Sequence, residues 1–348
     1  MLKSQQMKLS ELGEFGIIDL IHGINSRLAD KRQHSWRNLI LGIGDDTAAW
    51  RGNSHIQLAT TDSLVQNIHF HLDTISWKEL GWKSLAINLS DIAAMGGIPQ
   101  YALVSLALPA DLTADNIADF YKGMASLATE FGVSIAGGNL VSAPYSIITV
   151  TVTGYSKHDK ILKRSTARAG EQIAVTGHPG LAAAGLQISN AKTKLSPEAL
   201  KIFRHRQCKP VPRVHEGQVL LDKGVKTAID ISDGLIADLY HICEASNVNV
   251  KVYLEQIPIH PLLKASFPEY EKMALYGGED YELLFTAKRE VIQQLIQIID
   301  CPITIIGDIV DERVPAQVVL IDSKGRSLPC DRHGWEHFRD GHFKSEIR

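Results

Sequence analysis

The chain has 348 residues, a formal net charge of -3, 45% hydrophobic residues and 22% charged residues. This length accommodates about two domains of roughly 150 residues, each with a sizeable core, and the near-neutral charge gives no support to a nucleic-acid partner. The four cysteines (Cys208, Cys243, Cys301 and Cys330) are scattered with no CxxC pair, so no zinc site or disulfide framework is signalled and a reducing, cytoplasmic setting is expected.

The first residues, MLKSQQMKLSELGEFG, lack the apolar core of a signal peptide. The most apolar stretch, YALVSLALPA, falls far short of the ~20 residues of a membrane helix, so no membrane partner is expected. In chain order, SHIQLATTDSLV reads as a strand ending in a polar turn. WKELGWKSLAINLSDIAAMGG reads as a helix stopped by Gly96-Gly97. YALVSLALP is a strand, TADNIADFYKGMASLATEFG a helix, VSIAGG a strand and SIITVTVTGY a longer strand. A basic stretch, SKHDKILKRSTARAGEQ, then divides the chain, with the boundary between residues 155 and 165.

The second half restarts with the strand QIAVTG, followed by helical segments near 180–188 and 197–207. KTAIDISDGLIADLYHICEAS reads as strand, turn and helix, and NVKVYL, YELLFT, ITIIGDIV and AQVVLID as further strands. Both halves mix strands and helices, so the fold class is α/β or α+β. The expected domains are residues 1–158 and 159–348.

Carboxylates recur at the ends of these elements: Asp45 and Asp46 in GIGDDT, Asp62 in ATTDSL, Asp91 in NLSDIAAMGG, Asp230 and Asp233 in AIDISDGL, Glu279 and Asp280 in YGGEDYELLF. Each alone reads first as a turn or helix-cap residue; Ser232 equally reads as an N-cap and Gly277-Gly278 as a turn. Converging from several strand ends, they would suit magnesium, a hard cation that prefers oxygen ligands and assists phosphoryl transfer. Asp91 is the hardest to dismiss. With Ser84 and Asn88 it forms a narrow polar stripe on a mostly apolar helix, which points to a buried polar site in need of counter-charge.

There is no GxxxxGK[ST] and no protein-kinase motif set, so the phosphate-binding options narrow to short glycine turns: GIGDD, MGGIP, AGGNL and YGGED. Gly137-Gly138 would let a backbone approach a ligand closely, or form an ordinary turn. His69 and His71 would share one face of a strand. They lack a clear third zinc ligand, so a structural or substrate-contacting histidine is expected. The basic stretch at residues 157–168 reads first as a solvated linker, with Arg164 as its candidate for a phosphate contact.

Taken in order, LGIGDDTA, TTDSLVQNIHF, KSLAINLSDIAAMGG, AGGN, KRSTARAGE, AIDISDGLIADL and YGGEDYELLFT closely resemble the thiamine-monophosphate kinase family. That family belongs to the ATP-binding superfamily that includes aminoimidazole ribonucleotide synthetase and selenophosphate synthetase. The resemblance runs from about Leu12 to Phe338, and the closing HGWEHF favours the kinase branch. It implies an N-terminal α/β domain that dimerises through its sheet and a C-terminal α/β domain, with ATP and several magnesium ions in the cleft between them. The implied reaction converts ATP and thiamine monophosphate to ADP and thiamine diphosphate.

By matching position, the resemblance makes Asp46, Asp62, Asp91, Asp230 and Asp233 magnesium ligands, with Thr60 and Thr61 contributing. Gly138, Asn139, Arg164 and Ser232 match nucleotide contacts; His69, Glu279 and Trp335 match positions that hold thiamine monophosphate. Asn139 stands where many relatives carry aspartate. Its amide oxygen can still coordinate magnesium, without charge. No general base is assigned, because a phosphate monoester with a second pKa of about 6 is largely dianionic at neutral pH. The competing expectations are another acceptor within the superfamily and a non-catalytic nucleotide-binding scaffold.

Overall fold

A helix that is mostly apolar around its whole circumference has to be buried on most sides. The stretch Trp77–Ala94 (α1) is such a helix: Leu80 through Ser90 are all buried. It starts at Ser76, whose hydroxyl accepts from the Glu79 backbone N–H while Glu79 bonds back to the Ser76 N–H. It ends at Met95, just before Gly96 in a left-handed conformation (φ +68°). The structure is a computed structural model that describes residues 15–16, 18–19, 38–52, 54–188, 195–311, 316–328 and 330.

One side of α1 lies on a six-stranded sheet. Its strands run in the order β1 (Leu39–Leu41), β2 (Ala48–Arg51), β3 (Ile56–Val65), β6 (Ile147–Ser156), β4 (Ile98–Leu108), β5 (Ser134–Ser142). Pairing is antiparallel except between β4 and β5. Strand alternation sends Leu58, Leu64, Val104, Leu106, Val150 and Val152 to the helix side. Helix α2 (Ala114–Glu130) packs beside α1 at near backbone contact. A methyl group on Gly81 would sit 1.9 Å from the Phe120 carbonyl oxygen, and one on Gly123 would sit 1.7 Å from that of Lys78.

The second sheet has seven strands in the order β13 (Ser327–Leu328), β12 (Val318–Ile321), β9 (Asn249–Tyr253), β11 (Ile303–Asp311), β7 (Gln172–Thr176), β10 (Leu283–Ala287), β8 (Thr227–Asp230). Only β9 and β12 are parallel. The helices of this half are α3 (Leu181–Gln187), α4 (Pro197–Cys208), α5 (Val214–Asp222), α6 (Leu235–Ser246), α7 (Pro261–Ser266), α8 (Tyr270–Tyr276) and α9 (Arg289–Ile298). Leu235, Leu239 and Ile242 of α6 cover one face with Val250, Ile306 and Val318. The other face, with Ala228, Leu283 and Phe285, joins the same apolar cluster as α1. The two sheets therefore share a core, and α1 lies between them.

Two local expectations change. β3 ends at Val65 and Asn67 is left-handed (φ 65°), so His69 lies in a turn and His71 just beyond it rather than both on one face of a strand. The His69 ring accepts from the Val65 N–H (3.0 Å). At the start of α6, Ser232 does not cap. Gly234 holds the cap position, and the Asp238 carboxylate reaches back to the N–H groups of Ser232, Asp233 and Gly234 (3.1, 3.2 and 3.1 Å). Among the described residues no helix is long and apolar enough to cross a membrane.

Candidate active site

The carboxylates gather where the two sheets meet across α1. Asp46 stands in the turn before β2, Asp91 on the last turn of α1, and Asp230 at the end of β8. Carboxylate oxygens of these three residues lie within 4.8 Å of one another. Short contacts hold each in place. Thr60 of β3 donates to Asp91 Oδ2 (2.5 Å), and Ser90 donates to Asp230 Oδ2 (2.6 Å). Arg164 donates from Nε and Nη2 to the two oxygens of Asp46 (3.2 and 2.5 Å). Asp45 shapes the loop, accepting from the backbone N–H groups of Asp46 (3.0 Å) and Arg164 (3.4 Å).

The cluster is short of positive charge. Burial drives the Asp91 carboxyl well above its ordinary range, and the charges of Asp62, Asp230 and Asp46 add to the shift. Asp230 is raised by burial and by Asp46, against the opposing Ser90 hydroxyl and Arg164. Burial pushes Asp62 up to about 6. Every donor in the set is an oxygen: three carboxylates, the Asp62 carboxylate nearby and the Thr60 hydroxyl. That set fits a hard divalent cation such as magnesium, whose charge would offset the repulsion.

The other expected site residues lie in several places. Thr60 and Asp62 share the helix-facing side of β3. Thr61 points to the opposite face, where its hydroxyl lies 2.9 Å from that of Thr151. Asn139 is also on that outer face. It aligns with Ser63 through Thr149 and Ser105, three strand spacings or about 14 Å away. Gly138 is a packing necessity at this point, since a Cβ there would meet the Val104 carbonyl oxygen at 1.8 Å. Asp233 groups instead with Asp238 and His241, with ligand atoms again within 4.8 Å. Trp335 lies outside the described residues.

Ser232 and Glu279 meet through the backbone. The Ser232 carbonyl accepts from the Glu279 N–H, and the Ile231 carbonyl from the Tyr281 N–H (both 2.8 Å). Glu279 (φ 66°) and Tyr281 (φ 51°) are both left-handed, an uncommon state for non-glycine residues that concentrates at functional sites. Each acid of the GGEDYE loop has its own partner. Glu279 Oε1 is 2.9 Å from Lys83 Nζ. Asp280 accepts from the backbone of Gly180 and Ala182 at the start of α3 (2.6 and 3.1 Å). Glu282 is held by Arg213 through two bonds of 2.7 Å and by the Thr176 hydroxyl (2.7 Å).

Lys83, Ser90, Asp238, Tyr281 and Arg213 were not singled out by the sequence. Lys83 carries a usable signal, since it is a lone lysine inside the apolar run of α1 and its side chain is 1% exposed. The partners of Arg213 and Asp238 are set by tertiary packing and carry none.

The family model for the AIR synthase related protein, N-terminal domain, matches residues 44–156, and that for the C-terminal domain matches residues 168–319. Thiamine-monophosphate kinase of Bacillus subtilis (strain 168) is 37% identical over 328 residues, covering 92% of this chain and 99% of its own length. That of Aquifex aeolicus (strain VF5) is 33% identical, covering 95% of this chain and 100% of its own. A solved structure described as AaThiL complexed with AMPPCP and TMP superposes with a TM-score of 0.80 at 31% identity, covering 96% of this chain and 100% of that one.

Proposed function

The chain belongs to the thiamine-monophosphate kinase family, and we propose that it transfers the γ-phosphoryl group of ATP to thiamine monophosphate. The products are thiamine diphosphate and ADP. The new bond joins a phosphate oxygen of thiamine monophosphate to the γ-phosphorus. The bond from that phosphorus to the β,γ-bridging oxygen breaks, and its electron pair leaves with ADP. The observation that carries this reading is the convergence of Asp46, Asp91 and Asp230 from both halves of a chain alike to these kinases over nearly its full length.

Asp46, Asp62, Asp91 and Asp230, with Thr60, are the residues proposed to hold magnesium; Asp233 and Thr61 are further proposed contributors. Bound magnesium would neutralise charge on the phosphate oxygens and align them for in-line transfer. The protein's own part is positional. Thr60 and Ser90 fix two carboxylates by short hydrogen bonds, and Arg164, whose fork Asp46 engages, would turn it to a phosphate once magnesium took up the Asp46 carboxylate. No side chain is needed as general base, because the attacking phosphate carries its own negative charge at neutral pH. Arg164, Ser232, Gly138 and Asn139 are proposed nucleotide contacts; His69, Glu279 and Trp335 are proposed contacts for thiamine monophosphate, with Trp335 stacking on the thiazolium.

The working form proposed is a cytoplasmic homodimer. Support for the dimer comes from β5, an edge strand that is exposed along nearly its whole length, with Leu140 70% exposed. Beside it, Tyr101 and Leu103 are about half exposed on the outer face of the sheet. An open apolar edge invites pairing with a second chain. Since Asn139 lies on that edge strand, a partner's sheet is one way to bring it to a shared site. The direct test is a coupled assay for thiamine diphosphate with and without magnesium. Magnesium-dependent formation is expected; ATP hydrolysis with no thiamine diphosphate would overturn the reading.

A further inference from the structure

Lys83 is among the largest fully buried side chains of the described residues, and it is charged. Removing an ammonium group from water is costly unless a partner compensates. The partner is Glu279, at 2.9 Å, on the other half of the molecule. The two ends of the pair differ in exposure: the Lys83 side chain is 1% exposed and that of Glu279 is 22%. The lysine is sealed in the core, and the carboxylate looks outward from it.

The backbone makes the same selection. Glu279 is held at φ 66° by its N–H bond to the Ser232 carbonyl, a conformation that costs a non-glycine residue on the order of 1 kcal/mol or more. The fold accepts that cost at the residue whose carboxylate meets Lys83. Ser90, which grips Asp230, lies seven residues further along α1. Seven residues are two turns and about 10.5 Å of rise, so Lys83 and Ser90 share one face of a rigid helix. That face therefore sets the spacing between the carboxylate cluster and Glu279.

We infer that Lys83 is a positioning residue for the substrate: it holds Glu279 across the domain boundary as a charge-compensated acceptor. This rests on the proposed function and on the proposed contact of Glu279 with thiamine monophosphate. A carboxylate already neutralised by a buried ammonium has little net charge to offer a cation. It remains a good hydrogen-bond acceptor. Glu279 thus reads a neutral N–H donor, the amine of the aminopyrimidine ring, rather than the charge of the thiazolium. The spacing along α1 places the phosphate end of the substrate at the carboxylate cluster while its amine end reaches Glu279.

The test uses the full chain and two probes, thiamine monophosphate and its analogue with the pyrimidine amine replaced by oxygen. Calorimetric binding and steady-state rates are measured for wild type, Lys83→Met and Lys83→Arg. Wild type is expected to prefer the amine at least about tenfold, the scale of one good hydrogen bond. Lys83→Met should raise the KM for thiamine monophosphate by a similar factor, leave that for ATP within about twofold, and lose the preference; Lys83→Arg should restore it. A folded Lys83→Met that keeps the preference, or raises both KM values equally, overturns the inference. If Lys83→Met does not fold, Lys83→Met combined with Glu279→Met removes both charges and the acceptor, and a retained amine preference there overturns it equally. A wild-type chain that binds thiamine monophosphate without phosphorylating it overturns the kinase reading alone, and binding still decides Lys83.

Discussion

Replacing Glu282 with glutamine keeps the shape of the side chain and removes its charge. Arg213 makes two 2.7 Å bonds to this carboxylate, and Arg206 lies at 3.4 Å. Both ends of the main pair are buried, with side-chain exposures of 10% and 3%. Removing one partner of such a pair costs about 3–5 kcal/mol, because the remaining charge stays buried. An unfolding entropy of about 2.1 cal/mol/K per residue makes roughly 0.7 kcal/mol/K over this chain, so the expected drop in Tm is about 4–7 °C. Calorimetry at neutral pH measures it. Arg213→Met added to Glu282→Gln should recover at least half of the loss. The deficit also has a pH signature. Burial opposes ionisation of Glu282, but Arg213, Arg206 and Thr176 outweigh it and hold the carboxyl below its ordinary 4.5. Its contribution is therefore complete above that value and lost as pH falls through the lowered folded pKa. The gap between wild type and variant should be flat near neutrality and close in acid. A Tm change under about 1 °C, or a gap that widens in acid, would refute a buried, charge-stabilised pair.

Asp91→Asn should lower turnover on the order of 100-fold, the scale of losing one preorganised electrostatic partner. Its Tm without divalent cations should not fall, since a buried like-charge contact is relieved; a lower Tm would show a purely structural aspartate. Asp238→Ala removes the shared acceptor of three backbone N–H groups and should cost about 2–3 kcal/mol in denaturant melts, with turnover falling as Ser232 and Asp233 lose their anchor. Unchanged stability would mean that water replaces the carboxylate. If the proposed dimer pairs through the exposed edge, Leu140→Asp should convert it to monomers in sedimentation velocity while the chain stays folded; a variant that sediments as wild type does would refute that interface.

The regular elements were largely legible because their periodicities are strong. Alternation in β6, the apolar run of β4 and the mostly apolar run of α1 leave little choice. The polar stripe on α1 was half informative. Asp91 does join the cluster, but Ser84 donates to the Gly81 carbonyl and the Asn88 amide to that of Ser84, inside their own helix. The face that reaches the second half carries Lys83 and Ser90 instead. Helical spacing tells which residues share a stripe, not which stripe meets a partner well over a hundred residues on. The cap of α6 eluded the sequence for a similar reason. Ser232 is a good capping residue by type, yet Asp238, one turn into the helix, fills the role from within. Carboxylates recurring at strand ends suggest magnesium, and the order of seven motifs assigns individual ligands; geometry adds that Asp46, Asp91 and Asp230 converge.

The position of α1 also bears on the order of biosynthesis. The helix belongs to the first half in sequence, but Lys83, Trp82, Ser90 and Glu79 find their partners at Glu279, Pro210, Asp230 and Arg204. Gly217 of α5 lies so close that an added methyl would come within 2.0 Å of the Ala93 carbonyl oxygen. A nascent chain that has released only its first sheet therefore carries a helix with one side uncovered, including a lysine without its counter-ion. Domains usually complete folding one after another as they are synthesised. In this chain the cover of α1 cannot be completed until Glu279 has emerged, so the ribosome-bound half is the stage that exposes the most of this helix.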